Sequence, residues 1–255
     1  MLKTRIIPTL LMREVNLVKG AAFDSWRAVG APMQSVKVFN RRDVDELVLL
    51  DIAATPSSRG PDVAMVVSLA QECFVPLTVG GGITRLDQIR ELLLAGADKV
   101  SINSAAYDRP ELITAASEAY GAQCIVAAID YRIHDDGRRE CYSRCGTQPT
   151  GLDPVSWAKR LEKLGAGEIQ LTCIERDSMM NGYDLTTLAE VAQAVSIPVI
   201  ASGGAGSYDD LVQAVRAGAS AVSASSIYLF TQATPLEARA HLAAAGINVR
   251  KAFQG

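Results

Sequence analysis

Two sets of small residues in this chain have the makings of anion sites. Gly80-Gly-Gly82 has its counterpart in Ser202-Gly-Gly204, and Asn103-Ser104 in Ser225-Ser226, each 122 positions further on. The correspondence is wider than the sets themselves. Residues 76–83 align with 198–205 and 95–104 with 217–226, while Glu46, Leu49, Gly60 and Asp62 fall on Glu168, Leu171, Gly182 and Asp184. Glycine lets a backbone turn its N–H groups towards an anion at close range. A helix opening at the Asn-Ser or Ser-Ser pair adds unpaired N–H groups and partial positive charge. One set alone would be accounted for by a tight turn. Two at one spacing point to a ligand with two separated phosphate or phosphate-like groups. One group is expected on Gly81, Gly82, Asn103 and Ser104, the other on Gly203, Gly204, Ser225 and Ser226.

Carboxylates beside such sites can move protons. Asp130 ends the apolar run 123–130, where burial and neighbours can tune it as a general acid or base. Asp51 ends the run 46–51, and Asp177 follows the run 168–172. Either of these can instead cap a loop or pair with Lys19 or an arginine. Lys19 can reach an anionic substrate. A second group of charges, Arg5, Glu46, Lys99 and Glu168, opens four of the β-branched runs. Two cations and two anions there can close a ring, or can stay apart as solvated charges.

The elements that must position these residues alternate strictly, short β-branched runs with longer amphipathic Ala/Leu-rich ones. Strands are expected over 5–10, 46–51, 76–79, 99–102, 123–130, 168–172, 198–201 and 221–224. Helices are expected over 34–40, 62–71, 86–94, 110–120, 153–164, 185–194, 209–216 and 235–244. Alternation with a half-length repeat predicts an α/β fold, a (β/α)8 TIM barrel built from two duplicated half-barrels and forming one domain over 1–255. The glycine sets and Asp130 then lie at strand C-terminal ends, where such barrels bind and react, and the four charges at the other end. Residues 11–32, 131–152 and 174–183 read as long loops above the site.

Bulk composition narrows the function. A chain that is 49% hydrophobic can fill a large core. A net charge of −3 argues against nucleic acid or an anionic membrane as partner. Lys3 and Arg5 interrupt the opening apolar residues, and no apolar stretch reaches the ~18 residues of a membrane span. With an odd five cysteines, a cytoplasmic location is expected. Two histidines, and Cys141 with Cys145 lacking further ligands, make up no metal set, and no metal or cofactor is expected.

Several stretches are shared with a known family: Arg5-Ile-Ile7, Asp45-Glu-Leu-Val48, Thr78-Val-Gly-Gly-Gly-Ile83, Ala95-Gly-Ala-Asp-Lys-Val-Ser-Ile-Asn103, Ala128-Ile-Asp130, Gly182-Tyr-Asp184, Ile200-Ala-Ser-Gly-Gly-Ala-Gly206 and Gly246-Ile-Asn-Val-Arg250. On these the chain resembles the cyclase subunit of imidazole glycerol phosphate synthase along essentially its whole length. The resemblance implies a heterodimer in which a glutaminase docks at the barrel bottom and supplies ammonia. It implies a charged gate of Arg5, Glu46, Lys99 and Glu168, a partner-binding role for Asp98, and phosphates of a bisphosphorylated ribonucleotide on the two glycine-serine sets. The family uses two aspartates as acid and base. Asp130 matches one, but the other place holds Leu11, which has no proton to exchange. Ala22 stands where the family has asparagine, and Ser178 where it has glycine. With Leu10-Leu11, Val36-Lys-Val-Phe-Asn40 and Thr150-Gly-Leu-Asp-Pro154, the chain resembles a branch found with amino-sugar pathways. There the barrel and its glutaminase supply ammonia for amidination of an amino sugar in surface-polysaccharide (O-antigen) synthesis. Two other readings stay open: a genuine cyclase of histidine biosynthesis, and a non-catalytic barrel that docks and activates a glutaminase.

Overall fold

Strand and helix alternate in the computed structural model, which describes residues 3–251. β1 (Arg5–Arg13) leads into a hairpin of β2 (Asn16–Ala21) and β3 (Asp24–Gly30). Then come α1 (Pro32–Arg41), β4 (Leu47–Asp51), α2 (Val63–Ala70), β5 (Leu77–Gly80), α3 (Leu86–Leu94), β6 (Lys99–Ile102), α4 (Ser104–Asp108) and α5 (Glu111–Tyr120). β7 (Ile125–Ile133) carries a second hairpin, β8 (Arg139–Ser143) and β9 (Gln148–Pro149). After α6 (Pro154–Lys163) follow β10 (Glu168–Cys173), α7 (Leu185–Ala194), β11 (Val199–Ser202), α8 (Tyr208–Arg216), β12 (Ala221–Ala224), α9 (Ser226–Phe230) and α10 (Pro235–Ala244).

Eight parallel strands close on themselves in the order β1-β4-β5-β6-β7-β10-β11-β12, with β12 pairing back onto β1. This is an α/β (β/α)8 TIM barrel, as the alternation predicts. Its core is mostly the layer between strands and helices, where Ile6, Leu47, Ile89, Val100, Leu161 and Val222 are fully or almost fully buried. A smaller cluster of Ile7, Val48, Val126, Ile200 and Ala221 fills the lumen. At the bottom, Arg239 bonds Asp43 (2.6 Å) and Asp45 (3.0 Å), and Arg250 bonds the same two carboxylates (2.6 and 2.8 Å). That clamp ties the end of the described chain to the segment before β4. No spacing in the sequence pointed to it.

The repeat persists in three dimensions. β5 and β11, α3 and α8, β6 and β12, and α4 and α9 start and stop 122 residues apart. Asp62 caps α2 by accepting from the Met65 N–H (2.9 Å), and Asp184 caps α7 from the Thr187 N–H (3.3 Å). The glycine turns repeat in detail. Gly82 has φ +71° and a Cβ there would stand 2.3 Å from the Arg59 carbonyl oxygen; Gly204 has φ +122° and a Cβ would stand 2.2 Å from that of Gly182. Neither position has room for a side chain.

Two of the expected loops are different in kind. Residues 11–32 and 131–152 extend β1 and β7 and fold as antiparallel hairpins over the mouth. β3 is exposed along most of its length, so its sequence lacks the apolar alternation that marks a strand packed on a core. Residues 174–183 hold a single 3-10 turn, Ile174–Arg176.

Substituting Gly204 by alanine should destabilise the protein by more than about 1 kcal/mol, through the left-handed backbone and the Gly182 contact together. Urea unfolding checks this, and an unchanged midpoint would show that the turn gives way freely.

Candidate functional site

At the C-terminal ends of the strands lies a cavity of about 390 Å3. Every residue expected at the top of the barrel lines it: Lys19, Asp51, Gly81, Gly82, Asn103, Ser104, Asp130, Asp177, Gly203, Gly204, Ser225 and Ser226. Leu11 lines it too, at 8% exposure. Leu11 and Asp130 hold matching places. Each is the first residue of its barrel strand to pair with the hairpin that follows, Leu11 with Val18 and Asp130 with Tyr142. The cavity therefore has a carboxylate on one wall and a hydrocarbon side chain at the matching place of the other half.

Asp130 is walled in by protein but keeps partial access to the cavity. Its carboxyl is pushed up to about 7, first by burial and then by the charge of Asp177, against the pull of a hydrogen bond from Thr172. Asn103 donates to Asp130 Oδ2 (3.1 Å) and to the Ala128 carbonyl (3.2 Å), so its amide is directed at the carboxylate. Ser104 Oγ accepts from the Arg144 N–H (2.9 Å), which joins the second hairpin to the first glycine-serine set. In the other set, Ser226 Oγ is buried without a partner. Asn103 and Ser225 are the N-caps of α4 and α9.

The remaining charges divide by role. Asp51 accepts from the Ala53 and Ala54 N–H groups (3.0 and 3.2 Å) and from Arg59 (2.8 Å), the geometry of a loop cap. Lys19, on β2, pairs with Asp177 at 3.2 Å, and the Ala22 N–H donates to the Asp177 carbonyl (2.9 Å). The first hairpin is thus strapped to the loop after β10. Ala22 (φ +48°) and Ser178 (φ +66°) sit in the left-handed region, which favours glycine or asparagine over alanine or serine.

At the opposite end the four strand-opening charges meet. Arg5 Nη1 lies 2.8 Å from Glu46 and 2.9 Å from Glu168, and Lys99 Nζ lies 2.9 Å and 3.2 Å from the same two. Thr78 Oγ1 donates to the remaining Glu46 oxygen (2.7 Å). Glu46 is 1% exposed. Burial works against the Arg5 charge, but Glu168 and Glu46 outweigh it and hold its pKa above the ordinary value. The charges form a closed alternating ring and are not solvated strand starts. Asp98, exposed at the same end, accepts from the Leu77 N–H (2.8 Å).

Sequence reasoning missed a polar layer between ring and rim. Thr9, Ser101, Gln170 and Ser223 line the cavity, each two residues before a rim position on its strand. Counting in twos from Glu168 reaches Gln170 and Thr172, and that alternation was the available signal. Trp26, on β3, also lines the cavity and escaped notice. Among the described residues no cluster of His, Cys, Asp or Glu could hold a metal ion, and no helix is long and apolar enough to cross a membrane.

The raised Asp130 carboxyl sets a pH dependence. The folded state keeps a proton up to about pH 7 that the unfolded state releases near 3.8. Its contribution to stability is therefore full below that lower value and is lost as pH rises to about 7. Asp130→Asn should raise the melting temperature at neutral to alkaline pH and leave it nearly unchanged in acid. Thermal melts of both proteins across that range check it; a constant difference would contradict the assignment.

The barrel topology agrees with one comparison. The family model described as Histidine biosynthesis protein matches residues 5–234, and the chain belongs to that family.

Proposed function

We propose that this chain is the cyclase-like subunit of a glutamine-dependent amidotransferase. It receives ammonia from a glutaminase at the barrel bottom and passes it to the cavity, for amidination of an amino sugar in surface-polysaccharide synthesis. The observation that carries this reading is the closed ring of Arg5, Glu46, Lys99 and Glu168 across the barrel axis. Neutral ammonia can pass when one pair opens, whereas Arg5 and Lys99 oppose ammonium. Above the ring, Ile7 and Val48, each two residues beyond a ring residue on its own strand, offer little to a charge.

The bottom face supports a docked protein. Phe74, just before β5, is 80% exposed, and Leu94, at the end of α3, is 77% exposed. Both belong to the end that carries Asp98. The top supports a phosphorylated small molecule, through the two glycine-serine sets around one cavity.

Leu11 separates this reading from ring closure in histidine biosynthesis. That reading is favoured by Asp130, whose carboxyl is poised near neutrality, and by the paired anion sets. It lacks a second proton-transfer group on the β1 wall. General acid–base catalysis contributes about 10²–10⁴-fold. The isolated protein, given ammonia and the histidine-pathway ribonucleotide, should therefore turn over at a negligible rate. Leu11→Asp should recover part of it. A wild-type rate matching that of a histidine-pathway enzyme would overturn the amino-sugar assignment and establish the other.

Removing Lys99 leaves Arg5 as the one cation of the ring for both Glu46 and Glu168, and breaking a buried pair costs about 3–5 kcal/mol. In the complex with its glutaminase, Lys99→Ala should uncouple glutamine hydrolysis from amination more than it slows hydrolysis. Glutamate release and ammonia incorporation, measured together, test this. Equal loss of both would favour a barrel that only activates its partner.

A further inference from the structure

β10 places three successive alternate residues along the lumen: Glu168 in the ring, Gln170 one step above it and Thr172 at the rim. Gln170 is 2% exposed and forms part of the cavity wall. Its carboxamide oxygen is buried and has no hydrogen-bond partner. Few buried acceptors in folded proteins go unpaired, because desolvation without compensation is costly. None of the layer's hydroxyls bonds it: Thr9 Oγ1 and Ser223 Oγ lie 2.5 Å apart and bond each other, and Ser101 does not reach the carboxamide oxygen. Much of the surrounding lumen is hydrocarbon, from Ile7, Val48, Val126 and Ile200. A leucine at 170 would suit such a wall without stranding an acceptor, so the glutamine serves something that brings its own donor.

We propose that Gln170 is a positioning residue for ammonia. Its carboxamide oxygen accepts one N–H of an ammonia molecule that has passed the ring and holds that molecule at the base of the cavity. This rests on the ammonia-transfer reading above. Three properties of the place fit ammonia. Gln170 is the next lumen-facing residue of β10 after Glu168, so it is the first polar side chain of that strand that a molecule leaving the ring meets. The acceptor is neutral, so it binds ammonia without stabilising ammonium as a carboxylate would, and the nitrogen lone pair stays available. The other two N–H groups remain free to release the molecule upward, towards Thr172 and Asp130.

The intact barrel tests this by NMR of the Gln170 side-chain amide during titration with ammonium chloride. Under alkaline conditions, where neutral ammonia is abundant, the amide signals should shift and saturate. In acid, and with tetramethylammonium chloride, they should not. Gln170→Leu should fold as stably as the wild type and lose the ammonia-dependent shifts of the Thr9 and Thr172 backbone amides. A Gln170 that does not respond, or that responds equally to tetramethylammonium, overturns the assignment. The two readings fail separately. A complex that transfers ammonia while Gln170 stays silent removes this contact alone. A Gln170 that responds in a barrel to which no glutaminase couples removes the transfer role and leaves the ammonia contact standing.

Discussion

Closure of the parallel sheet is the constraint on which everything else in this molecule depends. Once β12 pairs with β1, every second residue of eight strands must face one shared lumen. Arg5↔Ala221 at the closing seam and Glu168↔Val126 between β10 and β7 are parts of one register. A slip of one residue in β10 would send Glu168, Gln170 and Thr172 into the helix layer and bring Ile169 and Leu171 inside. The ring, the apolar cluster and the polar layer are therefore one choice of parity, made once and carried along each strand.

That parity places charge where charge is costly. Glu46 is almost wholly buried, and a lone carboxylate there would be neutralised or expelled. It is held because Arg5, Lys99 and Thr78 all reach it. The two glutamates are copies of one position, but neither cation has a charged copy: Lys99 falls on Ala221 at the same spacing. Duplication supplied a symmetric pair of anions, and two unrelated strands supplied the cations that satisfy both. Such a ring adds little to stability over apolar packing.

How much of this the sequence revealed follows from what each element must satisfy locally. The barrel strands were legible because burial on both faces demands β-branched runs, and the glycine turns because Gly82 and Gly204 have no room for a side chain. The four ring residues were legible as strand openers, though only closure brings Arg5 within 2.9 Å of Glu168, 163 positions away. The hairpins were not legible. Their outer strands pack on no core, so nothing in residues 24–30 needed to alternate. The Asp43, Asp45, Arg239 and Arg250 clamp was hidden for a different reason. It joins residues about two hundred positions apart that look, singly, like surface charge.

The two halves of the barrel were free to diverge wherever the shared register did not need them alike. The divergence is concentrated at the mouth. The glycine turns, the short helices α4 and α9 and the caps of α2 and α7 kept their spacing, because each supports the backbone whatever the chemistry above it. Leu11 and Asp130 occupy matching places and share nothing chemically. A leucine there removes a titratable group from the wall without disturbing the fold, since its backbone pairs with Val18 and Leu50 as any residue would. Asp130 then stands as the carboxylate whose protonation turns on burial and on Asp177, which Lys19 in turn fixes through the first hairpin. The proton equilibrium of the mouth is thus tied to how closely that hairpin covers it. A displaced Lys19 would release the Asp177 charge and let water reach both carboxylates. The two consequences oppose each other at Asp130: hydration favours its ionised form, and an unpaired Asp177 disfavours it. Hydration has the larger effect, since burial is the first cause of the raised carboxyl, so an opened mouth should hold Asp130 more nearly ionised than a closed one.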